Sequence, residues 1–173
     1  GKNKASDFSA MSFWEMGLLN RKDWQASWIS SSLVGGYRTQ TPIPYFAKSF
    51  QISKTVVKAR LYATALGLYE ASINGKEVTA DIFTPGWPDF KRRTLYQTYD
   101  VTKLLRKGKN VIGSILGDGW YCGYLAWFNR QFYGDRPKLF SQLMLTYEDG
   151  STEVIVTDNT WKTTTGPILE SDI

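Results

Sequence analysis

The feature that most constrains the fold is a series of short, strand-like segments separated by turn residues, which starts at Tyr45 and runs almost to the end of the chain. Several segments alternate apolar and polar residues, as strands with one buried face do. The clearest turn is Asn74-Gly75, because both residues tolerate the positive φ angles of a two-residue hairpin loop. The pattern predicts strands at residues 45–52, 56–66, 68–73, 76–78, 94–99, 111–116, 139–147, 152–156 and 161–164.

A single helical turn is expected among these strands. Asp100 is suited to cap a turn over residues 101–105, and Gly108 is suited to the left-handed conformation that ends it. Many short strands with so little helix indicate an all-β fold, an antiparallel jelly-roll-like β-sandwich.

The first forty residues differ from the rest of the chain. They hold an apolar but irregular stretch that includes Trp24 and Trp28, followed by a Ser- and Gly-rich segment and then Pro42-Ile43-Pro44. This composition predicts that residues 1–41 form a short irregular or helical connector from a preceding domain. Residues 42–173 are then the sandwich, which we expect to be truncated at its C-terminal end.

Composition excludes several chemistries. The chain has no histidine and one cysteine, Cys122, so it cannot build a Ser-His-Asp triad, a His-ligated zinc site or an internal disulfide. Its formal charge of +5 comes partly from small groups such as residues 91–93, but these lie in no nucleic-acid-reading motif, and no apolar run has the length of a membrane helix. We therefore expect no nucleic-acid partner and no membrane partner.

Aromatic residues are abundant, at 15% of the chain, and many fall in the two long loops predicted at residues 80–93 and 122–137. Sugar rings pack their C–H faces on aromatic rings and need polar partners for their hydroxyls. The candidate carbohydrate-binding residues are Asn74, Trp87, Asp89, Asp118, Trp120, Tyr121, Tyr124, Trp127 and Asn129. Three structural alternatives remain open: Trp87 plugs the end of the sandwich, Trp120 and Tyr121 pack against another domain, or Asn74 serves only as a turn former.

An ordered series of motifs resembles the N-terminal sandwich domain of bacterial α-L-rhamnosidases of glycoside hydrolase family 78. The motifs include Ile73-Asn74-Gly75-Lys76-Glu77-Val78, Pro85-Gly86-Trp87, Gly117-Asp118-Gly119-Trp120-Tyr121 and Tyr133-Gly134-Asp135-Arg136-Pro137. The resemblance runs from about Trp14 to the last residue, where family members continue into further domains.

The resemblance implies that an (α/α)₆ barrel, missing from this chain, supplies the carboxylates for rhamnoside hydrolysis. The fragment is then expected to have no catalytic residues of its own, although loop pairs such as Asp81 with Asp89 or Asp118 with Asp135 are the type of pair that an inverting glycosidase uses. The expected function is to bind or orient rhamnose-containing glycans for that barrel, and the alternative is a structural spacer that packs on the barrel without binding sugar.

Two further expectations follow from the resemblance. In some family members this sandwich resembles a rhamnose-binding module that uses calcium, and Ca²⁺ suits vicinal hydroxyls because it takes six to eight oxygen ligands. Calcium is therefore a possible cofactor here, although Ile73 rather than a carboxylate precedes Asn74. The resemblance also implies a bacterial source, with the compartment left open between cytoplasm, periplasm and the cell exterior.

Overall fold

The structure is a computed structural model that describes residues 7–12 and 14–172. Its strands are β1 Pro44–Ile52, β2 Val56–Leu66, β3 Leu68–Ile73, β4 Lys76–Glu77, β5 Gln97–Asp100, β6 Gly108–Gly117, β7 Lys138–Tyr147, β8 Thr152–Val156 and β9 Lys162–Thr165. The helical segments are 3-10 turns at Arg21–Asp23 and Thr102–Leu104 and one α-helical turn, α1, at Gly119–Cys122. No helix in the part of the chain that the structure describes is long and apolar enough to cross a membrane.

The strands form two antiparallel sheets that face each other. One sheet has the order β4-β3-β6-β1-β9, and the other has the order β5-β2-β7-β8. The predicted all-β antiparallel sandwich is confirmed, and the strand predicted at 152–156 has the bounds that the structure shows. The strand predicted at 94–99 is shorter, because residues 94–96 leave the sheet and Tyr96 turns to the connector, where its hydroxyl donates to the Leu18 carbonyl.

The core lies between the sheets because alternate residues of each strand point inward. In β2 the inward residues are Ala59, Leu61 and Ala63, and in β7 they include Leu143 and Leu145; all five are buried. Residue pairing between β2 and β7 places Leu61 opposite Leu143. This arrangement gives one continuous core that holds the loops at both ends of the sandwich in fixed positions.

The two ends of the sandwich receive different loops. Pairing of β3 with β6 places Leu68 opposite Gly117 at one end and Ile73 opposite Ile112 toward the other. We call the first end, where β6 leads into α1 and the loop at 123–137, the aromatic end. We call the opposite end, which carries the Asn74-Gly75 turn, the asparagine end.

The connector pairs with β7 beyond the end of β8, and its Trp24 contacts Tyr62 and Phe140 on the outer face of the sheet β5-β2-β7-β8. The Ser27 N–H donates to the Thr157 carbonyl at 2.8 Å, and Ile29 and Leu139 exchange two backbone hydrogen bonds at 2.9 and 2.8 Å. Residues 27–29 therefore behave structurally as an addition to the sandwich. The domain boundary between residues 41 and 42 stays a prediction, and residues 1–6 of the predicted connector lie outside the described residues.

Candidate functional site

The aromatic end carries two tryptophans stacked face to face. The indole rings of Trp87 and Trp120 are 5.4 Å apart with an interplanar angle of 6°. Trp120 lies in α1, which begins at Gly119 with a φ of 50°, and a Cβ at that position would come within 2.7 Å of the Leu68 side chain. Glycine is therefore required where the chain turns into this helix. Trp87 remains 54% exposed, so the pair presents a flat aromatic surface to solvent.

A second aromatic group lies beside this stack. The Phe90 ring makes edge contacts with the rings of Tyr121 and Tyr133, at 5.2 and 5.4 Å between centroids. Burial raises the pKa of the Tyr121 hydroxyl, so this side chain is neutral and acts as packing. Lys91 lies over the Phe132 ring at 5.0 Å. The group joins the loop at 80–96 to the loop at 123–137.

The tip of the loop at 123–137 is a tight turn that exposes its aromatic side chains. The Phe128 N–H donates to the Leu125 carbonyl at 2.8 Å, and Ala126 within the turn has a φ of 50°. Trp127 is 99% exposed, and its neighbours Phe128 and Asn129 are exposed as well. An indole left in water on an anchored turn points to a surface that another molecule or domain covers.

A buried ion-pair network anchors this loop. The Arg130 side chain, 3% exposed as a residue, donates to Asp118 at 2.5 Å and also pairs with Asp172. Burial opposes the charge on Arg130, but the two carboxylates raise its pKa, so it remains a cation. Asp172 also accepts from the Tyr124 N–H at 2.8 Å. The network ties α1, the aromatic loop and the segment at 166–172 together.

Cys122 belongs to the same buried region and is not a nucleophile. Its thiol donates toward an Asp118 carboxylate oxygen at 3.3 Å. Burial, with a smaller effect from the Asp118 charge, raises the pKa of the Cys122 thiol far above its usual range. A protonated, buried thiol serves packing rather than chemistry.

The asparagine end is closed by hydrogen bonds rather than aromatic rings. Asn74, with a φ of 53°, donates to the Leu104 carbonyl and to Asn110 at 2.9 Å each, and it accepts from the Val111 N–H at 3.0 Å. Asn110 is 0% exposed and donates to the Arg106 carbonyl at 2.7 Å. The side-chain amides of Asn74 and Asn110 therefore hydrogen-bond within the domain and stabilise this end of the sandwich.

The nine predicted site residues therefore fall into two groups. Six of them gather at the aromatic end, either in the tryptophan stack or in and near the adjoining loop: Trp87, Trp120, Tyr121, Tyr124, Trp127 and Asn129. Three have other roles. Asn74 lies at the opposite end, Asp118 is held by Arg130, and Asp89 is exposed but accepts from the Lys91 N–H at 3.1 Å in its own turn.

Sequence reasoning missed several members of the site. Phe83 lies 6.1 Å from Trp120, and Phe90 links the two loops. Both fall in the loop that was predicted at 80–93, so its aromatic content was the available signal. Arg130 had no such signal, because its partners are 12 and 42 residues away in the sequence.

Asp118 and Asp135 are held in ion pairs and are poorly suited to act as a hydrolytic pair. Asp118 is ion-paired to Arg130, and Asp135 pairs with Arg136, whose hydrogen bond lowers the pKa of the Asp135 carboxyl. A general acid needs a raised pKa and a base needs access to water. Within residues 7–12 and 14–172, no group of three or more Asp, Glu or Cys side chains is placed to hold a metal ion. The expectation of calcium stays a prediction.

The fold and this site define a β-sandwich module with one exposed aromatic end. Residues 54–173 match the family described as "Alpha-L-rhamnosidase N-terminal domain". The chain therefore belongs to the α-L-rhamnosidase N-terminal domain family, as its motifs predicted.

Relatives and solved structures agree with this assignment. An α-L-rhamnosidase of Formosa agariphila is 41% identical over 180 residues, which cover 99% of this chain and 19% of that protein. The crystal structure of the Aspergillus terreus α-L-rhamnosidase matches with a TM-score of 0.88 and 43% identity, covering 92% of this chain and 19% of its own. The Streptomyces avermitilis α-L-rhamnosidase, solved in complex with L-rhamnose, matches with a TM-score of 0.77 and 42% identity over 78% of this chain and 13% of its own. The matched region of the chain thus spans only 13–19% of the length of these three proteins.

Proposed function

We propose that this domain is a non-catalytic module that binds or orients rhamnose-containing glycans through its aromatic end, for a catalytic domain of the same polypeptide. The observation that carries the proposal is the stacked pair Trp87 and Trp120, 5.4 Å apart and nearly parallel, with Trp87 open to solvent. The proposal assigns no bond-breaking step to this chain, because its loop carboxylates Asp118 and Asp135 are held in ion pairs.

The stack suits a sugar for two physical reasons. The inner indole, Trp120, holds the outer one in place, so little side-chain entropy is lost when a ring packs on Trp87. L-Rhamnose carries a methyl group and axial C–H bonds that give it an apolar face, and an indole is the largest flat apolar surface that a side chain offers. Asn129 and Tyr124, both exposed in the adjoining loop, are available to bond sugar hydroxyls.

A spacer function is favoured by a different set of residues at the same end. Ile82 is 76% exposed and Leu169 is 67% exposed, and Phe83, 6.1 Å from the Trp120 ring, is also exposed. Aliphatic side chains have no particular affinity for sugar and are typical of surfaces that another domain covers. In this second proposal the aromatic end packs on the catalytic barrel and binds no glycan.

Titration of the 173-residue chain with L-rhamnose, with and without calcium, separates the two functions. The tryptophan fluorescence should change saturably with a dissociation constant in the millimolar range, and Trp87→Ala should abolish the saturable change. A matched control is Trp14→Ala, because Trp14 is also exposed but lies in the connector.

The outcomes are distinct. A folded wild-type chain that shows no saturable change up to about 100 mM L-rhamnose, where even weak sites fill, supports the spacer. Equal loss of binding in Trp87→Ala and Trp14→Ala contradicts the aromatic end as the site. Affinity that requires calcium would place the site elsewhere, since the acidic side chains at this end are engaged in ion pairs.

A further inference from the structure

A second aromatic surface lies away from the tryptophan stack, in a groove between the connector and the outer face of the sheet β5-β2-β7-β8. The groove has a volume of about 600 Å³ and is lined by four aromatic side chains, Trp24, Trp28, Tyr96 and Phe140. This volume falls within the range of small-molecule sites in proteins. The candidate residues of the aromatic end do not include any of these four.

The aromatic walls of the groove are held by one another. The Trp24 ring makes an edge contact with Tyr96 at 5.0 Å and 84°, and it lies 5.3 Å from Phe140. The Trp28 ring lies 5.0 Å from Phe140 at 44°. Because the rings meet at tilted or edge-on angles and none of them stack in parallel, they leave a concave surface between them.

The connector that supplies the two tryptophans is fixed to the sheet by a buried side chain. Gln142 points to the outer face of β7 and is 0% exposed. Its amide donates to the Asp23 carbonyl at 2.9 Å and accepts from the Gln25 N–H at 2.7 Å. A buried amide bonded on both sides fixes the chain on either side of Trp24, so the groove is a built feature.

The polar residues that line the groove carry hydroxyl groups or a positive charge, and none of them is acidic. Besides Tyr96, the hydroxyl-bearing residues that line it are Ser27, Thr64 and Thr94, of which the Thr64 hydroxyl already donates to the Leu95 carbonyl. Arg21 is the only charged side chain among the described residues that line it. The surroundings are basic too, since Lys22 follows Arg21 and Arg93 precedes Thr94. Asp23, the nearby acid, does not line the groove, and its carboxylate accepts from the Asn20 N–H at 3.0 Å.

We propose that this groove binds a sugar ring that carries a carboxylate, that is, a uronic acid unit of a glycan. The aromatic walls suit the C–H faces of a pyranose, and the hydroxyls of Ser27 and Thr94 suit its hydroxyl groups. The Arg21 guanidinium pairs with the carboxylate, which is the group that an arginine fork recognises best. This site depends on the proposed function only in that the domain is taken to be a carbohydrate-binding module. The groove shares no residue with the tryptophan stack.

A matched pair of ligands tests the charge directly. Methyl β-D-glucuronide and methyl β-D-glucoside differ only in whether C6 is a carboxylate or a hydroxymethyl group. In the chain labelled with 5-fluorotryptophan, the ¹⁹F resonances of Trp24 and Trp28 should move on titration with either ligand. The dissociation constant should be about threefold to tenfold lower for the glucuronide, as expected for one charge-assisted hydrogen bond.

Two variants of the same turn separate a specific contact from a general charge effect. Arg21→Gln should reduce the preference for the glucuronide to less than about twofold, and Trp28→Ala should weaken both ligands. Lys22→Gln removes an equal charge from a residue that does not line the groove, and it should keep the preference.

Three results overturn this site: no shift of the Trp24 and Trp28 resonances in the folded chain, equal affinity for the two ligands, or equal effects of Arg21→Gln and Lys22→Gln. The resonances of Trp87 and Trp120, followed with L-rhamnose in the same labelled chain, report separately on the aromatic end. The experiment therefore distinguishes the absence of binding in the groove from the absence of binding at the aromatic end.

Discussion

The two ends of the sandwich use their loop residues in opposite ways. At the asparagine end, the amides of Asn74 and Asn110 bond to each other and to neighbouring backbone groups, and Asn110 is fully buried. At the aromatic end, the polar groups that are buried, Arg130 with Asp118, only anchor the loop. The side chains that this anchor positions, such as Trp127, stand in solvent.

The difference shows how to tell a structural loop residue from a functional one. Polar atoms that are hydrogen-bonded inside the fold are not available to a ligand, so the amides of the asparagine end have a structural role. Exposed aromatic faces on a rigidly held loop are not explained by the stability of the domain, because burying them elsewhere would be more favourable. They indicate a surface that acts on something outside the domain.

The largest expected effect is on the anchor of the aromatic end. Arg130→Met leaves Asp118 and Asp172 buried without their cation, which should lower the free energy of unfolding by about 3–5 kcal/mol. Urea denaturation followed by circular dichroism measures it. The matched control is Arg136→Met, since Arg136 pairs with an exposed carboxylate and its loss should lower the free energy of unfolding far less. Equal costs for the two variants would show that the buried network is not the anchor.

The second-largest expected effect is a loss of stability at the asparagine end without a loss of sugar binding. Asn110→Ala removes an amide that donates to the carbonyls of Arg106 and Gly108 and accepts from Asn74, and it should cost about 2–3 kcal/mol. The variant should keep the wild-type affinity for L-rhamnose in the fluorescence titration, measured below its unfolding temperature. Lys109→Ala is the exposed neighbour and should change little. A folded Asn110→Ala variant with weakened sugar binding would break the distinction between the ends.

The smallest effect is a pH dependence at the asparagine end. The Asp100 carboxylate accepts from the Thr102 hydroxyl and N–H, and these bonds lower the pKa of Asp100. Because the folded-state pKa is depressed, the stabilisation is present above the usual carboxyl range and is lost as pH falls through the lowered pKa.

Asp100→Ala should therefore cost about 0.5–1 kcal/mol at neutral pH and progressively less in acid, as measured by thermal unfolding at several pH values. Glu77→Ala, an exposed carboxylate in the nearby strand β4, serves as the control. A cost that is the same at every pH would mean that the charge of Asp100 contributes nothing to the turn.

Local patterns predicted the fold well because strand alternation and turn chemistry are short-range signals. The Asn74-Gly75 hairpin and the strand at 152–156 follow from neighbouring residues alone. Asp100 was predicted to cap a turn over residues 101–105, but the turn spans Thr102–Leu104 and its N-cap residue is Val101. Asp100 lies one residue earlier, and its side chain accepts from the Thr102 N–H at 3.0 Å. The extra helical turn α1 was not predicted, since Gly119 at its start is a poor helix former and is required there for close packing on Leu68.

The site was predicted less completely because its chemistry depends on distant partners. Asp118 was expected to face a ligand, but Arg130, twelve residues on, buries it in an ion pair. The groove under the connector depends on Gln142, whose partners Asp23 and Gln25 are more than a hundred residues away in the sequence. Sequence spacing carries no information about such contacts.

The most direct test of the central claim is a map of backbone amide shifts in the ¹⁵N-labelled chain during titration with L-rhamnose. If the aromatic end is the binding surface, saturable shifts should concentrate at residues 86–91 and 119–133, while residues 72–76 and 102–111 at the asparagine end stay unchanged. Saturable shifts centred on Asn74 and Asn110, or none at either end while the chain remains folded, would contradict the account.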